Sequence, residues 1–105
     1  MNSVLDTLRF HRGKDRAITA KELVRYTGKD DRAIRIEIRG LIAQGIPVAS
    51  NLTRPYGYYI ANTIQEAKEY MQQLRNRLIQ DAIRRRDFKR AAAKSFDGAG
   101  QIKMF

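Results

Sequence analysis

The spacing of helix-capping residues in the first half of the chain constrains the fold more than any other feature. Thr19 followed by Glu22 is a typical N-terminal cap, and Asp30 is a good N-cap for a second helix. Gly28 lies between the two segments, where a residue that tolerates positive φ ends a helix without steric cost. The sequence therefore predicts two helices joined by a turn of only a few residues.

The second of these helices, predicted over residues 31–44, is amphipathic. At the helical period, one side carries the apolar residues Ile34, Ile38, Leu41 and Ile42. The other side carries three basic residues, Arg32, Arg35 and Arg39. No acidic residue stands four positions after Arg32 or Arg35, so we expect a stripe without salt bridges. Most basic stripes are solvated surfaces, but an unpaired one that follows a tight turn is also a candidate site for a polyanion.

The remaining segments predict a mainly α fold with a small β-hairpin. A short helix is expected over residues 3–10, and strands over 46–50 and 57–61. The polar stretch 51–56 between the strands is expected to form the hairpin tip. A second capping signal, Thr63 with Glu66, opens a long helix that is expected to reach about residue 94.

The net charge is the most informative part of the composition. The 105 residues include 21 Lys and Arg against 11 Asp and Glu, which gives a formal net charge of +10. A compact chain with this charge repels itself, an arrangement typical of proteins whose partner is a polyanion. Nucleic acid is the first candidate and an anionic membrane surface the second. We expect no membrane partner, because the basic residues follow the two-helix spacing and the apolar stripe of the long helix contains no Trp or Phe.

The sequence predicts neither an enzyme nor a cofactor. It has no Cys, a single histidine (His11), no glycine-rich phosphate loop and no evident catalytic pair of carboxylates. Thiolate metal sites, histidine clusters and cysteine nucleophiles are therefore excluded, and no metal site is expected. No apolar run approaches the ~20 residues of a membrane span, and the first residues do not resemble a signal peptide, so a cytoplasmic location is expected.

Several pieces of the sequence occur in a characteristic order over residues 17–61. They are Thr19-Ala20-Lys21-Glu22-Leu23, Gly28, the helix from Asp30 to Leu41, Gly45-Ile46-Pro47-Val48 and Gly57-Tyr58-Tyr59-Ile60. Together they resemble the winged helix-turn-helix superfamily, nearest to the amino-terminal domains of biotin-operon and sugar-operon repressors. The resemblance implies that the second helix enters the major groove of DNA and that the hairpin is a wing on the backbone or minor groove.

We predict that DNA is bound by the second helix, the turn before it and the hairpin tip. The candidate residues are Lys29, Arg32, Arg35, Ile36, Arg39, Arg54 and Tyr56. Ile36 stands where the family usually has a polar residue, and two interpretations remain open: a partly buried contact with the amino-terminal helix (residues 3–10), or apolar contact with a thymine methyl. Asp31 would repel phosphate at the groove-facing end of the helix. Of Tyr58 and Tyr59, which face opposite sides of a strand, one is expected in the core.

The long helix has an apolar part and a basic part. Its apolar stripe over residues 64–82 consists of Ile64, Ala67, Met71, Leu74, Leu78 and Ala82. We expect this stripe to be buried, partly on the domain and partly in a homodimer. In the basic part, Arg84, Arg85 and Lys89 are candidates for contacts with the DNA backbone.

The last five residues resemble the short peptide by which many bacterial replication and repair proteins bind the sliding clamp. The contacts would come from Gln101, Ile102, Met104 and Phe105. The alternative is that this apolar chain end folds back on the core.

The predicted organisation is a winged helix-turn-helix DNA-binding domain (residues 1–62), an amphipathic and then basic helix (63–94) and a flexible tail (95–105). The favoured function is a small transcription regulator of phage or prophage type that binds double-stranded DNA. The alternatives are a replication-associated DNA-binding protein that docks on a clamp, and a protein-binding adaptor built on a winged-helix domain.

Overall fold

The computed structural model describes residues 3–96 and is mainly helical. The helices are α1 (Val4–Leu8), α2 (Ala20–Thr27), α3 (Asp31–Ala43) and α4 (Ile64–Ser95). Strands β1 (Val48–Asn51) and β2 (Gly57–Ile60) form an antiparallel hairpin between α3 and α4. The prediction of a mainly helical chain with one small hairpin and a long carboxy-terminal helix is thus confirmed. The clamp-like peptide lies outside the described residues.

The caps identified in the sequence determine where α2 and α3 begin and where α2 ends. The Thr19 hydroxyl accepts a hydrogen bond from the Glu22 N–H at 3.2 Å, and the Asp30 carboxylate accepts one from the Ala33 N–H at 2.8 Å. Gly28 adopts a left-handed conformation with φ +72° and ends α2. These bonds satisfy backbone N–H groups that a helix start leaves without partners.

One apolar core joins the first three helices to the hairpin. Its buried members are Val4, Leu8, Ile18, Leu23, Ile34, Ile38, Leu41, Val48 and Ile60. They come from α1, α2, α3, both strands and the segment before α2, so each of these elements is held by the others. Burial of apolar side chains on this scale is the main force that stabilises a small domain.

β2 has hydrogen-bonding partners on both of its edges. On one edge it pairs with β1; on the other, Ile18 and Tyr58 exchange two backbone hydrogen bonds of 2.8 and 2.7 Å. Farther along the same edge, the Ile60 carbonyl accepts a hydrogen bond from the Gly13 N–H at 2.8 Å. Residues 11–16, for which the sequence predicted neither a helix nor a strand, thus pair in part with β2 and include a 3₁₀ turn at Lys14–Arg16.

The close approach of Ile18 also explains why residue 57 is a glycine. Gly57 has φ +123°, and a Cβ atom there would lie 2.1 Å from the Ile18 carbonyl oxygen. Because that neighbour is backbone, no side-chain movement could relieve the overlap. Glycine is therefore required for the pairing on the second edge of β2.

The two neighbouring tyrosines of β2 lie on opposite faces of the hairpin, and both are largely covered. Tyr58 is partly buried and packs against the apolar core, whereas Tyr59 is 3% exposed and lies outside that cluster. Burial raises the pKa of the Tyr59 hydroxyl, and the nearby carboxylates of Glu66 and Glu69 raise it further. The start of α4 is thus close to the second face of the hairpin, which explains why both tyrosines are covered.

The chain divides into two units between Tyr70 and Met71. In the first unit, the Glu66 carboxylate anchors the start of α4 by accepting hydrogen bonds from the N–H groups of Lys14 at 2.7 Å and Asn62 at 2.8 Å. These hydrogen bonds hold the pKa of Glu66 below its usual value.

The apolar stripe predicted for α4 keeps most of its large side chains exposed within the single chain. Ile64, Met71 and Leu78 are 77%, 61% and 71% exposed, and Leu74 is 39% exposed. Within residues 3–96, no helix has both the length and the apolar composition needed to cross a membrane.

Candidate nucleic-acid interface on helix α3

Helix α3 is fixed in the first unit by one apolar face. Ile34, Ile38 and Leu41 are 0%, 6% and 7% exposed. Ile42, which the sequence placed on the same side, is 47% exposed and lies at the edge of the buried face. The face opposite the core is consequently presented outward over the length of the helix.

The outward face carries the residues predicted from the sequence to contact DNA. Arg32, Arg35, Ile36 and Arg39 are all exposed, and they line one open concavity of about 430 Å³. Three guanidinium groups at positions i, i+3 and i+7 therefore surround one apolar side chain. Guanidinium groups bind phosphates and guanine edges in a bidentate manner, which makes this face suited to a nucleic acid.

The expectation that the stripe carries no salt bridge is wrong for Arg35. Its guanidinium is paired with the Asp31 carboxylate, one turn earlier in the helix. Asp31 precedes Arg35 by four residues, whereas the expectation rested on the absence of acidic residues four positions after each arginine. Both side chains are more than half exposed, so the pair contributes little to stability and Arg35 can exchange its partner. No ion pair involves Arg32 or Arg39 within residues 3–96.

Ile36 is 56% exposed, so most of its side chain is not buried against α1. This position disfavours the interpretation of Ile36 as a partly buried contact and leaves the apolar contact with a base as the alternative.

Lys29, another candidate residue, takes part in a contact that holds the helices together. Its ammonium group is paired with Glu37 of α3. The same carboxylate accepts a hydrogen bond at 2.9 Å from the N–H of Val4, the first residue of α1. Glu37 therefore connects α1, the turn before α3 and α3 itself, a role that no local pattern in the sequence predicts. The Lys29 side chain is still 40% exposed.

The hairpin tip carries the other two candidate residues, Arg54 and Tyr56, and both are exposed. A buried asparagine braces the tip from inside: the Asn51 amide donates hydrogen bonds to the carbonyl oxygens of Pro55 at 2.8 Å and Lys14 at 2.9 Å. No ion pair involves Arg54 in the part of the chain that the structure describes. A basic side chain is thus presented on a braced turn.

β2 passes near the beginning of α3. Burial raises the pKa of the Tyr58 hydroxyl; the Asp31 carboxylate raises it further, while the Arg35 guanidinium lowers it. These effects require that both charges of the α3 pair lie near Tyr58. Tyr58 of β2 therefore lies near the Asp31–Arg35 pair in the first turns of α3.

In the second unit, the candidate backbone-binding residues Arg84, Arg85 and Lys89 are exposed. Arg84 lies 3.9 Å from the Asp81 carboxylate, and both side chains are largely exposed. The basic part of α4 is therefore accessible along its whole length.

Residues 3–96 contain no cluster of three or more His, Cys, Asp or Glu side chains that could hold a metal ion. Comparison of the chain with protein-family models, with curated proteins and with solved structures gave no match.

Proposed function

We propose that this protein binds double-stranded DNA by inserting α3 into the major groove, as a winged helix-turn-helix protein. The observation that carries the proposal is the outward face of α3, on which Arg32, Arg35 and Arg39 surround the exposed Ile36. The apolar side of α3 packs in the core, so only the basic face of this helix is available to a partner.

The arrangement of charge further supports a nucleic acid over an acidic protein. The net charge of +10 and the exposed Arg54 on the hairpin tip supply sequence-independent attraction to phosphates. An apolar side chain between the arginines suits the thymine methyl group that the major groove presents. In this proposal Arg54 positions the protein on the backbone and Arg35 reads a base.

Replacing the three arginines of α3 by alanine tests which surface binds. We expect the Arg32→Ala, Arg35→Ala, Arg39→Ala variant to lose about 100-fold or more in affinity for duplex DNA in a fluorescence-anisotropy titration, since three charged contacts are removed. The matched control replaces Arg9, Arg12 and Arg16, three exposed arginines before α2, and lowers the net charge by the same amount. Equal losses for the two variants would show that α3 is not the binding surface.

We propose a small transcription regulator as the biological role, and selection of bound sequences from random duplex DNA tests it. A regulator is expected to enrich one sequence motif. If no sequence motif is enriched, the protein binds duplex DNA without sequence preference, and that result would contradict the role of a regulator.

A replication-associated role is distinguished by the carboxy-terminal peptide. If the protein docks on a sliding clamp, the full chain binds a purified bacterial clamp, and combined Gln101→Ala and Phe105→Ala substitutions abolish that binding. A chain that shows no binding to the clamp, but binds DNA, favours the regulator.

A further inference from the structure

The tip of the hairpin combines apolar and basic side chains in a way that the proposed function has not used. All of residues 52–56 are exposed, and Leu52 and Tyr56 are 63% and 53% exposed. They flank Arg54, the only charged residue of the tip. A single exposed apolar side chain is common on protein surfaces, so the feature to explain is the combination of two such side chains with a guanidinium on one short turn.

The base of this tip is braced on both sides. The last pair of the β1–β2 register joins Asn51 to Gly57. Asn51 is 9% exposed, and its amide donates hydrogen bonds to the carbonyl oxygens of Pro55, across the tip, and of Lys14. The backbone of Gly57 lies directly against that of Ile18. These contacts hold the turn in place before a partner arrives, which lowers the conformational entropy that is lost when its side chains are inserted into one.

The tip also lies within reach of the duplex that α3 is proposed to bind. β1 packs against α3, and Tyr58 of β2 lies near the Asp31–Arg35 pair at the start of that helix. Four residues separate Tyr58 from Arg54, which is at most about 14 Å of extended chain. The major groove is about 12 Å wide. With α3 in that groove, the tip can touch the phosphates that border it and the minor groove behind them.

We propose that the hairpin tip is a wedge that bends the bound duplex, with Leu52 entering the minor groove and unstacking one base step. The proposal rests on the proposed binding of DNA by α3. Arg54 holds the tip on the phosphates that border the minor groove, and Leu52 has no polar atom in its side chain, so its insertion leaves no side-chain hydrogen-bonding group without a partner. Tyr56 covers the edge of the groove, where its hydroxyl stays in water.

The size of the apolar contact favours a base step over a lipid surface. An anionic lipid surface would also attract Arg54, but the strength of binding to lipid scales with the apolar area that is buried, and the tip offers only two large apolar side chains. One such side chain is enough to open a base step, and proteins that bend DNA from the minor groove insert leucine in this way, with kinks of about 20–90°.

Bending by a wedge predicts a preference for flexible DNA at a step that α3 does not contact. Pyrimidine–purine steps such as TA are unstacked and kinked easily, whereas runs of adenine are stiff. The free energy spent on the bend is therefore smaller when a TA step lies under the tip. Part of the sequence preference of the protein is then expected to come from the hairpin and not from α3.

Energy transfer between dyes at the two ends of a duplex measures the bend. A duplex of about 40 base pairs that contains TA steps is nearly straight when free, because the persistence length of DNA is about 150 base pairs. Saturating full-length wild type is expected to raise the transfer. Leu52→Ala is expected to lose at least half of that increase, while its duplex affinity, measured by anisotropy, falls by less than about tenfold.

Two matched variants separate the wedge from a general loss of apolar surface. Leu52→Met keeps a large apolar side chain at the tip and is expected to retain most of the bend. Leu78→Ala removes the same side chain from an exposed position in α4 and is expected to bend the duplex as the wild type does. Because Leu52 is exposed, its replacement leaves no cavity, and equal thermal unfolding temperatures of Leu52→Ala and wild type check this.

A fluorescent adenine analogue placed in the TA steps reports unstacking directly. The wild type is expected to raise its fluorescence, and Leu52→Ala is not. A wild type that binds the duplex without raising either signal would overturn the wedge and leave the proposed function intact, whereas a wild type that does not bind duplex DNA would remove both. Binding to anionic vesicles that depends on Leu52, by a protein that leaves DNA straight, would overturn the wedge and assign the tip to a lipid surface.

Discussion

Helices α3 and α4 are both amphipathic and both basic, but they differ in what happens to the apolar side. In α3 the chain itself covers it: Ile38 is 6% exposed. In α4 it remains open: Leu78 is 71% exposed. A hydrophobic repeat therefore predicts that an apolar face must be covered, but not whether the chain or another molecule covers it.

This difference also separates the free surfaces of the two helices. Once the core has taken the apolar face of α3, its free surface is basic and suits a polyanion. The free surface of α4 is basic as well, but it also includes the exposed apolar side chains of Met71, Leu74 and Leu78.

The largest difference is expected in stability. Ile38→Ala should lower the free energy of unfolding of the first unit by about 2–5 kcal/mol, because it leaves a cavity in the core. Leu78→Ala should change it by less than about 0.5 kcal/mol, because its side chain is already in water. All five tyrosines lie within residues 1–70, so tyrosine fluorescence during denaturant unfolding reports on that unit. Similar losses for both variants would show that α4 is covered by the chain after all.

The next effect concerns the two kinds of contact proposed for DNA. Arg35→Ala should reduce the discrimination between a selected sequence and random duplex by about 1–3 kcal/mol, because it removes a contact with a base. Arg54→Ala should weaken both affinities equally, because it removes a contact with phosphate. Competition titrations with both duplexes measure, for each variant, the ratio of its affinity for the selected sequence to its affinity for random duplex. An unchanged ratio for Arg35→Ala would mean that this residue does not read a base.

The ion pair on α3 predicts a gain of affinity. Asp31→Asn removes a negative charge from the proposed interface and releases Arg35, so duplex affinity should rise by about threefold to tenfold. Asp15→Asn, which neutralises an exposed carboxylate away from α3, is the matched control and should give a smaller gain. Identical gains would indicate that only total charge matters.

The smallest effect is a dependence of stability on pH. The hydrogen bonds from the backbone of Lys14 and Asn62 lower the pKa of Glu66, so its stabilising contribution is present above the usual carboxyl pKa and is lost as pH falls through the lowered value. Glu66→Gln should remove at most about 1 kcal/mol of this acid-sensitive stability, since the group is close to solvent. The measurement is the free energy of unfolding of variant and wild type between neutral and acidic pH. If Glu66 had no such role, both proteins would lose the same amount of stability as the pH falls.

Much of this fold could be predicted because its boundaries depend on local chemistry. Thr19, Gly28 and Asp30 act within one helical turn, and such caps are readable from the sequence. The strand positions were less accurate, because β1 begins at Val48 instead of residue 46. The N–H groups of Gly45 and Ile46 instead donate hydrogen bonds to carbonyl oxygens at the end of α3.

The contacts that the sequence did not predict join residues far apart in the chain. The hydrogen bond from the Val4 N–H to the Glu37 carboxylate joins residues 33 positions apart. The hydrogen bond from the Asn51 amide to the Lys14 carbonyl joins residues 37 positions apart. No local pattern distinguishes these polar residues from exposed ones. The Arg35 partner was missed for a different reason: Asp31 was judged only as a source of repulsion, although it lies one turn before Arg35.

The most direct test of the central claim is the affinity of the full chain for duplex DNA as a function of salt concentration. If the protein neutralises about six phosphates in all, a plot of log affinity against log salt should have a slope of about −5. The variant without Arg32, Arg35 and Arg39 should have a shallower slope. A wild-type affinity that does not change with salt would contradict the claim that this basic face binds DNA.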